Sequence, residues 1–124
     1  MRLDSKFENA LDNLLIEIGN DYDSWSGIEP PRDMDELTLK IKTESSHRFK
    51  NELRITAGRK FMKVIHGTSV WGFVAINDGV LKGIPYKKGD TFKPAGWRGP
   101  AKHVRGSIFD GLTNWYSWTG PNYL

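Results

Sequence analysis

Between Lys6 and Ile18 the apolar residues Phe7, Leu11, Leu14, Leu15 and Ile18 recur at three- and four-residue intervals, which gathers them on one face of a helix. Ser5 followed by Glu8 fits a capping box at its start, and Gly19-Asn20 predicts its end. Residues 1–19 therefore read as an amphipathic helix, with Glu8, Asp12 and Glu17 on solvated sectors. The periodicity then disappears. Residues 20–36 are rich in Asp, Ser, Gly and Pro, and Pro30-Pro31 forbids regular helix, so an acidic linking loop is expected there. Within that loop, Trp25 is expected to fold back onto the core.

From residue 37 the period becomes two. Leu37, Leu39 and Ile41 alternate with Thr38, Lys40 and Lys42, which predicts a strand. Further strands are predicted at Glu52–Thr56, Lys60–His66 and Ser69–Ile76. In Ser69–Ile76 both alternate sets, Val70/Val74/Ile76 and Trp71/Phe73/Ala75, are apolar, so this strand should be central and covered on both faces, once by the helix. Asn77-Asp78-Gly79 and Lys88-Gly89-Asp90 predict reversals. Pro100 is suited to open a short helical turn, and Trp115–Trp118 alternates as a last strand. The expected fold class is α+β: an N-terminal amphipathic helix packed on a small, mainly antiparallel sheet, with an irregular segment before the last strand and a partly closed barrel as the alternative.

A chain of 124 residues suits one domain, 1–124, with residues 37–124 as a basic β-rich body. Five Trp, four Tyr and six Phe supply the large apolar units of a modest core. With no Cys, disulfides, thiolate metal sites and Cys nucleophiles are excluded. No signal-like segment follows Met1 and no apolar run approaches the roughly 20 residues of a membrane span, so an intracellular protein without a membrane partner is expected.

Charge changes the picture. Met1–Leu37 holds 3 Lys+Arg against 10 Asp+Glu, whereas Thr38–Leu124 holds 15 against 5. Such sorting points to an anionic partner for the later part, DNA or RNA first, with the acidic start as a candidate internal counterweight. The densest basic stretch is Lys93–Gly111, KPAGWRGPAKHVRGSIFDG. There Lys93, Arg98, Lys102 and Arg105 are candidates to face phosphates, Trp97 to stack on an unpaired base, and His103 to supply a hydrogen bond. A second basic population, Lys40, Lys42, Arg48, Lys50, Arg54, Arg59, Lys60 and Lys63, precedes the central strand. Whether the two populations join depends on the fold.

The stretch Lys88–Gly111 and the aromatic closure WYSWTGPNYL, Trp115–Leu124, resemble a family of small proteins encoded by tailed bacteriophages. The shared part is similar to G-D-x-x-K-x-A-x-W-x-x-P-A-K-H-x-R-G-x-I, matched by Gly89, Asp90, Lys93, Ala95, Trp97, Pro100, Ala101, Lys102, His103, Arg105, Gly106 and Ile108. It covers the half of the chain from Arg59 on and leaves the acidic helix outside. The resemblance implies a phage origin and the cytoplasm of an infected bacterium; it brings no activity, cofactor or catalytic residue.

Enzyme signatures are weak, and no cofactor or metal is expected. His47, His66 and His103 lack ligand spacing, Ser69 and Ser107 lack a nucleophile elbow, and the glycines near the cations make no phosphate-binding loop. Asp90 and Asp110 are better explained as turn residues than as an acid–base pair. The leading expectation is thus a non-enzymatic phage accessory protein that binds nucleic acid. A rival from another class is a module that inhibits or redirects a host bacterial protein through Trp25, Trp115, Tyr116 and Trp118, residue types enriched at interface hot spots. A virion component is the further alternative.

Overall fold

The computed structural model describes residues 5–26, 35–110 and 115–122. Helix α1 (Ser5–Ser26) buries Phe7, Leu11, Leu14 and Ile18, the stripe expected from the sequence. It does not stop at Gly19-Asn20. Helix α2 (Glu36–Glu52) crosses there, and the bare Gly19 backbone leaves room for its Lys50: a Cβ on Gly19 would lie 3.2 Å from the Lys50 Cε and Cγ. The lysine stem runs over Gly19 to place Nζ 2.6 Å from Oδ2 of the buried Asp23, whose Oδ1 accepts from the Ser46 hydroxyl. Lys42 Nζ donates to the Ser26 carbonyl, 2.5 Å away, and so covers the helix end.

The expected loop over residues 20–36 is therefore helical through Ser26, and Pro30-Pro31 lies outside the described residues. The expected strand at Leu37–Ile41 is instead the first part of α2. Asp35 is its N-cap, accepting from the Thr38 amide at 2.7 Å, and that bond holds the Asp35 carboxyl below its ordinary pKa. Leu37, Leu39 and Ile41 are exposed, while Ser46 and Phe49 carry the packed part of the helix.

Asp23 is the polar joint between the helices. Replacing it with alanine leaves the Lys50 ammonium and Ser46 hydroxyl without their acceptor, and about 2–3 kcal/mol of stability should be lost, Lys50 being partly solvated. Urea unfolding of Asp23→Ala beside the parent protein measures it; a change below about 0.5 kcal/mol would show that the joint is not stabilising.

Five strands, β1 (Leu53–Ala57), β2 (Phe61–His66), β3 (Ser69–Ala75), β6 (Asp90–Pro94) and β7 (Pro100–Ser107), form an open antiparallel sheet in the order β1-β2-β3-β6-β7. The class is α+β, and β3 is central as its double apolar pattern required. One face carries Met62, Val64, Trp71, Val74 and Ile76 against both helices; the other carries Phe73, Ala75 and Phe92 under Tyr86 of the β4 (Gly79–Leu81) and β5 (Ile84–Tyr86) hairpin. Trp71 and Val70 sit on the faces opposite to those expected. Val64 pairs with Gly72 but Ile65 with Val70, so Trp71 is an extra bulged residue that shifts the alternation.

The short strands β8 (Tyr116–Ser117) and β9 (Gly120–Pro121) close on the helix side. The buried Pro121 lies over Gly72, where an added Cβ would be 3.1 Å from its Cγ and 2.8 Å from the Phe92 carbonyl oxygen. The Ser117 carbonyl accepts from the Trp71 indole at 2.8 Å, and the Trp118 amide donates to Asp21 at the same length. Lys93–Gly111 is more regular than expected. Pro100 opens β7 rather than a helical turn, and Gly111 lies outside the described residues.

Candidate nucleic-acid interface

The β1–β2 connection is tight. Gly58 donates its amide to the Phe61 carbonyl at 2.9 Å, and an added Cβ would stand 2.7 Å from that same oxygen, so only glycine fits. The turn drives Arg59 and Lys60 into solvent. Along β2 the alternation then sends Met62 and Val64 to the helices, while Phe61 packs beside Phe73 on the opposite face and Lys63 places its ammonium over the Phe73 ring.

A second turn meets the first from across the sheet. Between β6 and β7, the Ala95 and Gly96 amides both donate to the Gly99 carbonyl, at 3.0 and 3.4 Å, closing a loop with Trp97 and Arg98 at its tip. The loop folds back over the sheet face, so that Arg98 and Pro100 share a cavity of about 390 Å³ with Thr56–Lys60, Phe61, Lys63 and Phe73. Among the described residues, no carboxylate lines this cavity. Trp97 is 49% exposed, and the Lys63 ammonium lies 4.6 Å from its ring centroid and 5.9 Å from that of Phe73. This cation bridges the floor and the loop through two ring faces.

The six residues singled out from Lys93–Gly111 are thus distributed unevenly. Arg98 lines the cavity and Trp97 stands beside it, its ring under the Lys63 ammonium; Lys102 and His103 are exposed on β7, an edge strand; Lys93 and Arg105 are half-buried. Burial, together with the nearby Arg105 charge, lowers the Lys93 pKa. The earlier basic population also divides. Lys42 and Lys50 bind α1, Arg54 donates to the Gly67 carbonyl at 2.9 Å, and Arg59, Lys60 and Lys63 line the cavity.

The acidic helix does not plug this face. It packs on the other one, where Asp23 holds Lys50, Asp21 accepts from Trp118 and Glu17 lies 3.5 Å from the Tyr116 hydroxyl. Burial and the Glu17 and Asp21 charges raise the Tyr116 pKa. Trp115, Tyr116 and Trp118, expected as anchors for a protein partner, are half-buried and packed against the core. Trp25 is 64% exposed on α1, its ring 4.9 Å from that of Trp118, rather than folded into the core from a loop. Asp90 serves a turn, accepting from the Lys87 amide at 2.9 Å. No three His, Asp or Glu side chains among the described residues converge to hold a metal ion, and none of their helices is long and apolar enough to cross a membrane.

No curated protein and no solved structure matches the chain. A family model described as "Family of unknown function (DUF7717)" matches residues 26–120, beginning at the last residue of α1 and taking in α2, the sheet and both turns of the basic cavity. With well over half of its length inside that match, the chain belongs to the DUF7717 family.

Proposed function

We propose that this protein is a non-enzymatic nucleic-acid-binding protein whose interface is the cleft between the β1–β2 turn and the β6–β7 loop. One observation carries the reading. Cations nearly forty positions apart in sequence, Arg59, Lys60 and Lys63 with Arg98, converge on a carboxylate-free recess beside an exposed indole. Phosphate oxygens are the ligand chemistry that suits such a cluster, because each contact releases a counterion and adds affinity. Lys102 and His103 add exposed polar groups on the edge strand β7, outside the cavity lining. The likeness of Lys88–Gly111 to tailed-phage proteins supports an accessory role in the cytoplasm of an infected bacterium.

The reading predicts a steep salt dependence. With four cations engaged, log K against log salt should fall with a slope of about −3, measured by retention of labelled DNA or RNA between about 50 and 200 mM salt. Absence of binding at the lowest salt overturns it. A second reading, docking to a host bacterial protein, is supported by the exposed Trp25 at the rim of a cleft of about 270 Å³ with Tyr22, Phe49 and Trp118. A specific bacterial partner that survives nuclease treatment, without nucleic-acid binding by the pure protein, would favour that reading.

A further inference from the structure

Resting on the nucleic-acid reading, we infer that the cleft takes a single strand, with one unpaired base laid on the open face of Trp97 and its flanking phosphates on Arg98 and the Arg59–Lys60 turn. An indole has two faces. The Lys63 ammonium lies over one of them at 4.6 Å, yet the side chain is still 49% exposed, which leaves the other face for a ligand ring. A paired base inside a duplex has both faces covered by its neighbours, whereas a base in a single strand can leave the stack and meet an aromatic side chain.

The shape of the site agrees. Duplex readers push a helix or a strand pair into a groove about 12 Å wide. Here the cations line a recess of about 390 Å³ with Phe61 and Phe73 in its wall. Helix α2 cannot serve as a basic reading helix, because Lys42 and Lys50 are drawn to α1, and Glu44 and Glu52 interrupt its positive face. Lys63 has a positioning role: held between the Phe73 and Trp97 rings, it fixes the indole before any ligand arrives and lowers the ordering cost of binding.

The test uses the full chain and three labelled probes of equal length, about 12 nucleotides: oligothymidylate, the same backbone without bases, and a duplex. Anisotropy titration at about 50 mM salt should show oligothymidylate bound about tenfold or more tighter than the abasic strand and tighter than the duplex. Trp97→Ala should abolish that difference; Trp97→Phe, which keeps a ring, should retain part of it. Equal affinity for abasic and base-bearing strands, a preference for duplex, or insensitivity to Trp97→Ala overturns the single-strand inference and leaves the broader reading standing. Failure of all three probes to bind overturns both.

Discussion

Reversing Arg59, Lys60 and Arg98 to glutamate in one protein is expected to lower nucleic-acid affinity by more than about a hundredfold at low salt and to flatten its salt dependence. Each residue lost from the cluster removes a phosphate contact and its released counterion, and each carboxylate gained repels the same phosphate. The three side chains are exposed on two turns, so folding should be little affected. Gel retardation across a salt series, with circular dichroism melts as the folding control, measures both effects. The comparison is the single reversal Lys40→Glu, on the exposed face of α2 and outside the cavity lining, which should change affinity much less. Equal losses from Lys40→Glu and the triple variant would show that the whole positive surface acts without a defined cleft.

Phe7→Ala should be the most damaging of single core substitutions in α1, costing about 3–5 kcal/mol. Phe7 is fully buried in the main cluster, and it joins the first turns of α1 to the far end of the sheet: its ring lies 6.1 Å from that of Phe109, just beyond β7, and 5.4 Å from the Lys88 ammonium. Removing the ring opens a cavity at the end of the helix, where few other contacts can close it. Chemical denaturation followed by tryptophan fluorescence gives the value. A loss below about 1 kcal/mol would mean that the start of α1 packs only weakly on the sheet.

The contrast between the two variants has a physical basis. Phe7 acts through burial on the helix side of the sheet, while Arg59, Lys60 and Arg98 lie on the other side in contact with water. Stability and the proposed binding are therefore separable in this fold, which is what allows the charge reversals to be read as binding effects.

Strands β1, β2 and β3 were legible because a half-buried strand writes its two faces directly into alternate positions, as in Met62 and Val64 against Phe61 and Lys63. The misreading of Leu37–Ile41 as a strand shows the limit of that signal: three apolar residues with period two also occur by chance on an exposed helix. Another pattern would have corrected it. Glu36/Lys40, Glu44/Arg48 and Arg48/Glu52 are charge pairs at i, i+4, and Asp35 with Thr38 marks an N-cap. Simple alternation puts Trp71 and Val70 on the wrong faces because a bulge depends on the register with β2, which is a property of two strands at once.

By itself the sequence determined the apolar stripe of α1, the central position of β3, the reversal at Lys88-Gly89-Asp90, and the separation of acidic from basic halves. These follow from local spacing and composition. Tertiary structure alone decided which cations stay available: Lys42 and Lys50 are taken up by α1, whereas Arg59, Lys60 and Lys63 meet Arg98 because the β6–β7 loop folds back across the sheet. Charge is a property of the residue, but its field at a ligand depends on distance, and distances between turns far apart in the chain are set only when the strands between them pair.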